Sequence, residues 1–387
     1  MEELSQPVSA RVSIDLELDE IGPERVIHYH DPAIGLRAVL VIDVAGLGAS
    51  AGGVRAAGDL SVREVARLAR AMSYKFAMLE LPVGGAKAGI WVAHDDPARP
   101  RILEAFVSAI RPLAESGRYL PGADLGTSAE DFASLRGDAG AIHRMGREQA
   151  GGAPLEEQLT GFGVVVAART ACLQRDRSLC GATVALEGFG KVGTGAARAF
   201  AREGAIVQAV STVHGAIHDP KGLDLDELLA LREKLGDRLV DAYPRGERIA
   251  RDALFELPVD VLVPGARPDA IHGKNVEKLR ARLIVPAANI PYAEGMAERL
   301  HARGVVALPD FVTNAGGVLS GIAALRGLSA EESFALVEEK IAAGVRTLFE
   351  AMRGDGGPYR VATGLAHEGV LACKRAAAAG RDDPGGS

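Results

Sequence analysis

The stretch Gly188-Phe189-Gly190-Lys191-Val192-Gly193 decides the fold that this sequence predicts. It follows the apolar run Thr183–Leu186 and opens a helical pattern from Lys191 to Glu203. In such a strand–loop–helix unit, the first glycine makes the turn, the second lets a pyrophosphate approach the backbone, and the third allows close helix packing. The helix N-terminus adds free N–H groups and a positive dipole end. The stretch therefore predicts a dinucleotide-binding loop.

Further short apolar runs surround this loop and alternate with helical patterns. The runs are Val26–Tyr29, Ala38–Asp43, Ile206–Val210, Val259–Val263, Leu283–Pro286 and Val305–Leu308. Apolar strands that alternate with helices are typical of a parallel, doubly wound sheet. The sequence therefore predicts an α/β protein with two domains. We expect an N-terminal substrate, catalytic and oligomerisation domain at 1–152, a Rossmann domain at 153–328, and C-terminal helices at 329–387 that return to the first domain.

Composition excludes several classes of function. The chain has 387 residues and a net charge of −7, which argues against a nucleic-acid or anionic-membrane partner. Its three cysteines form no CxxC pair, so we expect free thiols and no metal site. The first residues lack the apolar segment of a signal peptide, and no apolar run approaches the length of a membrane span. We therefore expect a cytoplasmic protein.

Two lysines stand twelve residues apart, in Met72-Ser73-Tyr74-Lys75 and in Leu81-Pro82-Val83-Gly84-Gly85-Ala86-Lys87. A helix that Ser61 caps, with Glu64 in a capping-box pattern, delivers the first lysine at its end. The second lysine falls in a predicted glycine-rich loop. Each lysine taken alone also fits an ordinary surface charge. Together, beside a nicotinamide site, they indicate hydride-transfer chemistry on a small anionic substrate.

The sequence leaves the choice between NAD and NADP open. An acidic residue at the end of the second strand usually binds the adenosine ribose. Here Thr212 occupies that place, so no carboxylate repels a 2′-phosphate. No arginine is present there to bind one either.

Eight motifs, which fall in order from about Arg25 to about Ala323, resemble those of the glutamate/leucine/phenylalanine/valine dehydrogenases. The motifs are Gly52-Gly53-Val54-Arg55, Tyr74-Lys75, Pro82-Val83-Gly84-Gly85-Ala86-Lys87, Ala123-Asp124-Leu125-Gly126-Thr127, Thr160-Gly161-Phe162-Gly163-Val164, the glycine loop, Ala287-Ala288-Asn289, and Pro309-Asp310-Phe311-Val312-Thr313-Asn314-Ala315-Gly316-Gly317-Val318. The resemblance implies NAD(P)-dependent, reversible oxidative deamination of an L-amino acid to a 2-oxo acid and ammonia. It also implies a cleft that closes between two domains, and a homo-oligomer.

The resemblance gives roles to individual residues. Lys75 matches the lysine that holds the substrate α-carboxylate, Lys87 the catalytic lysine that activates water, and Asp124 the aspartate that exchanges protons with the amine. Positions expected to line the substrate are Ala51, Gly52, Gly53, Gly85, Asn314, Val318 and Gly321. Positions expected to bind the cofactor are Thr160, Asn289, Thr212 and the loop residues Gly188, Phe189, Gly190, Lys191, Val192 and Gly193.

The sequence departs from the glutamate-type members at two of these positions. Those members place a lysine directly before the Gly-Gly pair and a serine after the Asn-Ala-Gly-Gly segment, where this sequence has Ala51 and Gly321. Removing the partner of a buried carboxylate costs about 3–5 kcal/mol. We therefore predict a neutral, branched-chain or aromatic substrate. Two alternatives stay open: a glutamate dehydrogenase with an atypical carboxylate site, such as Arg55, and a catalytically silent nucleotide-binding subunit.

Overall fold

The computed structural model describes residues 16–137, 139, 149–150, 153–352 and 356–379. The strands are β1 (Arg25–Asp31), β2 (Leu36–Ile42), β3 (Ser50–Ala57), β4 (Gly84–Trp91), β5 (Tyr119–Ala123), β6 (Gln149–Ala150), β7 (Ala153–Pro154), β8 (Thr183–Glu187), β9 (Ile206–Thr212), β10 (Gly215–His218), β11 (Glu247–Ile249), β12 (Val261–Pro264), β13 (Leu283–Ile284) and β14 (Val306–Ala307). The helices are α1 (Val62–Met78), α2 (Arg99–Glu115), α3 (Leu155–Leu173), α4 (Lys191–Arg202), α5 (Leu225–Leu235), α6 (Leu239–Ala242), α7 (Met296–Ala302), α8 (Asp310–Thr313), α9 (Gly316–Arg326), α10 (Ala330–Ala351) and α11 (Pro358–Ala379).

The first sheet has the strand order β1-β2-β4-β3-β5. Strand β3 runs parallel to β4 and β5, whereas β2 is antiparallel to β1 and β4. Side chains alternate between the two faces of β2, and each face is covered by a helix. Leu40 joins a core with Phe106 of α2, whereas Val41 joins a core with Val65 of α1. The sheet is thus held between α1 and α2.

The position of Lys87 differs from the sequence prediction. The glycines before it predict a loop, but Lys87 lies within strand β4. A Cβ on Gly84 would lie 1.8 Å from the carbonyl oxygen of Val44, and one on Gly85 would lie 2.2 Å from the backbone nitrogen of Ser73. The glycines therefore allow close packing of backbone on backbone rather than a turn. Because Gly85 and Lys87 share one face of β4, Lys87 lies on the face that α1 covers.

The second sheet has the strand order β11-β10-β9-β8-β12-β13-β14. Strands β8, β9, β12, β13 and β14 are parallel, which confirms the predicted doubly wound domain. Strands β10 and β11 extend the sheet in antiparallel fashion, and the sequence prediction missed them. Both strands are short, and Gly215, which starts β10, has the positive φ of 139°.

The strand order places a crevice at the carboxyl edge of the second sheet. Strand β8 lies between β9 and β12, and the glycine loop follows it directly. In doubly wound sheets a ligand binds outside the carboxyl ends of the strands, at the point where the strand order reverses. The loops after β8, β9 and β12 therefore surround the expected dinucleotide position.

The two C-terminal helices pack on different parts of the molecule. Helix α10 packs on α3 of the second domain, where a Cβ on Gly163 would lie 2.5 Å from Cδ1 of Ile341. Helix α11 returns to α1 of the first domain, and Nζ of Lys374 lies 2.7 Å from Oε1 of Glu24. The predicted packing of C-terminal helices onto the first domain is thus made by α11, whereas the domain boundaries at 152/153 and 328/329 stay predictions. Across the described ranges, the length and hydropathy needed to cross a bilayer are not met by any helix.

Candidate active site

Lys87 and Asp124, which the sequence predicts as the catalytic pair, are in direct contact. Nζ of Lys87 lies 2.5 Å from Oδ2 of Asp124. Lys87 extends from β4, and Asp124 directly follows β5. Thr127 fixes the turn, because its Oγ1 accepts a hydrogen bond from the N–H of Asp124 (2.9 Å) and donates one to the carbonyl oxygen of Val54 (2.7 Å). One sheet therefore positions both side chains.

Burial and neighbouring charges set the protonation of this pair. Burial lowers the pKa of Lys87 and the Arg55 guanidinium lowers it further, whereas Asp124 acts in the opposite direction. For Asp124, burial alone would raise the pKa, but Lys87 and Arg55 outweigh burial and hold the pKa well below its usual range. A lysine whose pKa is lowered can serve as a base near neutral pH. The neighbouring cation that lowers the pKa of Lys87 is thus Arg55.

Lys75 lies in the last turn of α1, and its side chain reaches the second domain. Its Nζ donates a hydrogen bond to Oδ1 of Asn289 (3.3 Å), which lies beyond β13. Burial lowers the pKa of Lys75 to about 8, although the charge of Asp310 opposes this change. Lys87 and Asp124 also influence that pKa, so all three predicted side chains share one electrostatic environment. The lysine faces the cleft between the domains.

Asn314 joins the same hydrogen-bond network. Its Nδ2 donates to Oδ1 of Asn289 (3.0 Å) and to the carbonyl oxygen of Ala287 (3.3 Å). Because both partners are oxygen acceptors, the atom that faces them is the amide nitrogen of Asn314. Its Oδ1 therefore points away from Asn289 and Ala287. That buried oxygen has no partner among the described residues. Because buried polar atoms are normally paired, it is available to a ligand N–H.

Asp310 is a site residue that the sequence prediction missed. It is fully buried, and its Oδ2 accepts a hydrogen bond from the N–H of Ile290 (2.8 Å). Its Oδ1 is the other buried oxygen without a partner in the described part of the chain. Burial raises the pKa of Asp310, and the charge of Lys75 opposes that change. The available signal was a carboxylate directly after an apolar strand, at the edge of the sheet where ligands bind.

Strand β3 brings its predicted substrate positions to opposite faces. Ala51, Gly53 and Arg55 share one face because side chains alternate along a strand. A Cβ on Gly53 would lie 2.9 Å from Cβ of Asp124 and 3.0 Å from Nζ of Lys87. The methyl group of Ala51 therefore lies on the face of the Lys87–Asp124 pair. Gly52 points the other way and contributes through its backbone, whose carbonyl accepts a hydrogen bond from the hydroxyl of Tyr119 (3.0 Å).

Three other predicted positions lie at the junction of α3 and α9. Val318 and Gly321 are half-buried on α9, and Val318 packs against the core of the second domain. Thr160 lies on α3, where its hydroxyl donates to the carbonyl oxygen of Glu156 (2.9 Å). A Cβ on Gly317 would lie 3.3 Å from that hydroxyl, so Thr160 adjoins the start of α9. Contacts of these residues with a ligand stay predictions.

The glycine loop has the geometry that a dinucleotide needs. Gly188 has a φ of +91°, which favours glycine, and a Cβ on Gly193 would lie 2.0 Å from the carbonyl oxygen of Gly188. A Cβ on Gly190 would meet no atom within 4 Å, so that residue borders open space. Gly190 precedes α4 without a side-chain cap, which leaves N–H groups of the first turn for phosphate oxygens. These residues fit the cofactor.

Other loop residues have narrower roles. Phe189 is buried in the core of the second domain, so only its backbone can meet a cofactor. Val192 is half-buried, and Lys191 is exposed with its Nζ 3.3 Å from Oε1 of Glu157. Thr212 lies at the end of β9 as predicted, but its hydroxyl donates to the carbonyl oxygen of Asp237 (2.7 Å). That hydrogen is therefore not free for a ribose.

A dinucleotide crevice beside a buried lysine–carboxylate pair defines the class of a nicotinamide-dependent dehydrogenase. Comparison with known proteins makes the assignment more specific. Residues 23–139 match the Glu/Leu/Phe/Val dehydrogenase dimerisation domain, and residues 151–379 match the Glutamate/Leucine/Phenylalanine/Valine dehydrogenase family. The chain belongs to this family, and it is an NAD(P)-dependent amino-acid dehydrogenase that acts on a CH–NH2 group.

Several relatives support this assignment. A glutamate dehydrogenase of Thermotoga maritima is 36% identical over 283 residues, which cover 70% of this chain and 68% of the relative. An NAD-specific glutamate dehydrogenase of Staphylococcus aureus is 32% identical, with the same coverage. Among solved structures, a hetero-hexameric glutamate dehydrogenase of Thermus thermophilus in a leucine-bound form has a TM-score of 0.79 at 26% identity, covering 92% of this chain and 90% of that one. An L-tryptophan dehydrogenase of Nostoc punctiforme, at 24% identity, shares the fold with a TM-score of 0.63, covering 92% of this chain and 98% of that one.

Proposed function

We propose that this protein oxidises a neutral L-amino acid, with a branched-chain or aromatic side chain, to its 2-oxo acid. In the deamination direction, the amino acid, water and the oxidised cofactor give the 2-oxo acid, ammonium, the reduced cofactor and a proton. A nicotinamide cofactor held by the glycine loop would supply the acceptor for the hydride that leaves the substrate Cα. The geometry supports NAD or NADP equally, because Thr212 neither repels nor binds a 2′-phosphate.

The protein side chains divide the remaining work. The Lys75 ammonium binds the α-carboxylate, a task that suits a point charge at the end of a flexible stem. Asp124, ionised beside Lys87, takes a proton from the substrate amine. Lys87, once it has released its own proton to solvent, is a neutral amine that takes a proton from the water attacking the iminium carbon, and its lowered pKa favours that form. Asn314 offers a ligand N–H its Oδ1, which accepts no hydrogen bond from any residue that the structure describes.

One observation carries the neutral-substrate proposal. Arg55, the cation that could hold a distal carboxylate, is occupied: Nη1 lies 2.8 Å from Oε1 of Glu64, and Nε lies 3.3 Å from Oδ2 of Asp124. Ala51 presents a methyl group on the same face of β3 as the Lys87–Asp124 pair. Placing a second carboxylate against this surface would leave it without a charged partner, at a cost of about 3–5 kcal/mol.

A spectrophotometric screen tests the proposal. L-leucine, valine, phenylalanine, tryptophan and glutamate are each offered with NAD and with NADP, and reduction of the cofactor is followed. We expect turnover of at least one neutral amino acid and a far lower kcat/KM for glutamate. Efficient turnover of glutamate alone would overturn the proposal. Cofactor binding by calorimetry without turnover of any amino acid would favour the silent-subunit alternative.

Glutamate stays the second candidate because the relatives at 32–36% identity are named glutamate dehydrogenases. The double variant Ala51→Lys/Gly321→Ser separates the two candidates. If the native pocket is neutral, the variant gains activity on glutamate and loses activity on the neutral substrate. Ala51→Met with Gly321→Ser is the matched control, since it adds bulk without charge. A native enzyme that already prefers glutamate, and is damaged by the added lysine, supports the second candidate.

We also propose that the chain forms a homo-oligomer through its first domain. The matched domain at residues 23–139 is described as a dimerisation domain, and β1 is an exposed edge strand of the first sheet. An exposed edge offers unpaired backbone groups to another chain. Light scattering coupled to size-exclusion chromatography tests this assembly, and a monomer at micromolar concentration would exclude it.

A further inference from the structure

Arg55 lies at the centre of a network of four charged side chains, in which Arg55 and Lys87 are buried and the two carboxylates are partly exposed. Its Nη1 lies 2.8 Å from Oε1 of Glu64, and its Nε lies 3.3 Å from Oδ2 of Asp124. Nζ of Lys87 lies 2.5 Å from the same Oδ2. Two cations therefore share one carboxylate oxygen, and the second carboxylate balances the charge. Arg55 is only 6% exposed, so solvent screens these contacts little.

The side chain of Glu64 turns toward Arg55 rather than toward the start of its own helix. Ser61 caps α1 and its Oγ accepts a hydrogen bond from the N–H of Glu64 (3.1 Å), as the capping-box pattern predicts. In a complete capping box the glutamate side chain would return to the backbone of the cap. Here the Glu64 carboxylate binds Arg55 instead. A local rule that is broken in this way points to a constraint from the site.

We propose that Arg55, held by Glu64, is a positioning residue for amino-acid deamination, which fixes the carboxylate of Asp124 against Lys87. This inference rests on the proposed function of that pair. A guanidinium suits the task because its planar fork bridges two carboxylates, and because it keeps its proton throughout. It orients the proton-exchanging groups without exchanging a proton itself. Gly53 leaves the space in which the pair meets, since any Cβ there would press on both groups.

Arg55 and Glu64 shift the pKa of Lys87 in opposite directions, so we expect their variants to have opposite effects on that pKa. Arg55 lowers the pKa of Lys87, whereas Glu64 and Asp124 raise it. A further charged neighbour on α1 is Lys75, which interacts with Lys87. Removing Arg55 should therefore move the protonation of Lys87 to higher pH. Removing the charge of Glu64 should move it to lower pH.

The experiment compares Arg55→Met, Glu64→Gln and the double variant. We expect kcat of Arg55→Met to fall about 10²-fold, the size of effect that misplacement of reacting groups produces, with an unchanged Kd for the cofactor. The acid limb of its kcat/KM profile should move up by about 1 pH unit, and that of Glu64→Gln should move down. In the double variant the limb returns toward its native position, while kcat stays low. Arg63→Met is the matched control, because Arg63 is an exposed arginine on α1, next to Glu64.

Two further measurements keep the test decisive. Arg55→Lys preserves the charge for the case in which Arg55→Met does not fold, and native activity in Arg55→Lys would overturn the proposal. Movement of both limbs in the same direction, or behaviour of Arg55→Met like Arg63→Met, would also overturn it. Competitive labelling of Lys87 with acetic anhydride gives its protonation without turnover. If the native enzyme oxidises no amino acid, the proposed function fails, and labelling still shows whether Arg55 and Glu64 act on Lys87 in opposite directions.

Discussion

At the residue scale, Lys87 combines burial with a carboxylate neighbour, which makes its proton easy to exchange. We expect Lys87→Ala to lower kcat by about 10²–10⁴-fold, the contribution typical of a positioned acid or base. Cofactor binding should be unchanged, because the glycine loop lies in the other domain. Steady-state kinetics and calorimetry check both statements. Lys278→Ala, at an exposed lysine, is the control, and native kcat in Lys87→Ala would remove the base from the mechanism.

Lys75 should impose a pH limit on carboxylate binding. Only its ammonium form binds the carboxylate, and its pKa lies at about 8, so the affinity for a monocarboxylate inhibitor such as 4-methylpentanoate should fall as pH rises above about 8. In Asp310→Asn the charge that supports the ammonium disappears, so the fall should begin at lower pH. Inhibition constants across pH measure this effect. Asp176→Asn, at an exposed aspartate, is the control, and a shift to higher pH in Asp310→Asn would contradict the assignment.

Gly53 tests how tightly the pair is packed. A Cβ at this position would lie 2.9 Å from Cβ of Asp124, closer than side-chain carbons approach each other. Gly53→Ala should therefore displace the Lys87–Asp124 pair and lower kcat by about 10²-fold, while the enzyme stays folded. Gly273→Ala is the control, because a Cβ there would meet no atom within 4 Å. Equal kcat values in the two variants would show that the pair tolerates displacement.

At the element scale, helix ends follow from local chemistry. Ser329 caps α10 with a complete capping box, in which Oγ accepts from the N–H of Glu332 (3.3 Å) and Oε2 of Glu332 accepts from the N–H of Ser329 (2.8 Å). We expect Ser329→Ala to reduce the unfolding free energy by about 1 kcal/mol, measured by denaturant titration. Ser108→Ala, on the exposed face of α2, should change it little. An unchanged stability in Ser329→Ala would mean that tertiary packing alone defines this end.

The same elements show where sequence reasoning is strong and where it fails. Capping and periodicity predict the start of α1 at Ser61 and the extent of α4 closely, because these signals act between near neighbours in the chain. Gly84 and Gly85 predict a loop, but they lie in strand β4. Gly85 is needed because α1 approaches the strand closely, and no local sequence pattern reveals that approach. Motif order identifies Lys75, Lys87 and Asp124. The partners Arg55–Glu64 and Asp310 depend on how β3, α1 and α8 meet in space, so the sequence leaves them unassigned.

At the scale of the whole molecule, an ion pair is among the contacts that join the two domains. Arg67 of α1 donates two hydrogen bonds to Asp269, both of 2.7 Å, in the loop after β12. Both side chains are more than one-third exposed, so solvent screens the pair and its coupling should be about 1 kcal/mol or less. That amount is enough to shift the balance between open and closed forms several-fold.

Small-angle scattering tests whether the Arg67–Asp269 ion pair favours the closed form. Asp269→Ala should increase the radius of gyration of the ligand-free enzyme, and added salt should have the same effect on the native protein because it screens exposed pairs. Asp252→Ala, at an exposed aspartate of the second domain, is the control. Identical scattering from Asp269→Ala and the native enzyme, in low salt, would exclude a contribution of the pair to closure.

The bond from Lys75 to Asn289 has a consequence for the order of events. The ammonium that awaits the substrate already reaches across the gap, where it touches an amide of the nucleotide-binding half. A substrate carboxylate that binds the Lys75 ammonium would add a further contact to this hydrogen bond between the domains. We therefore expect bound substrate to strengthen the contact between the two halves, and release of the product to weaken it.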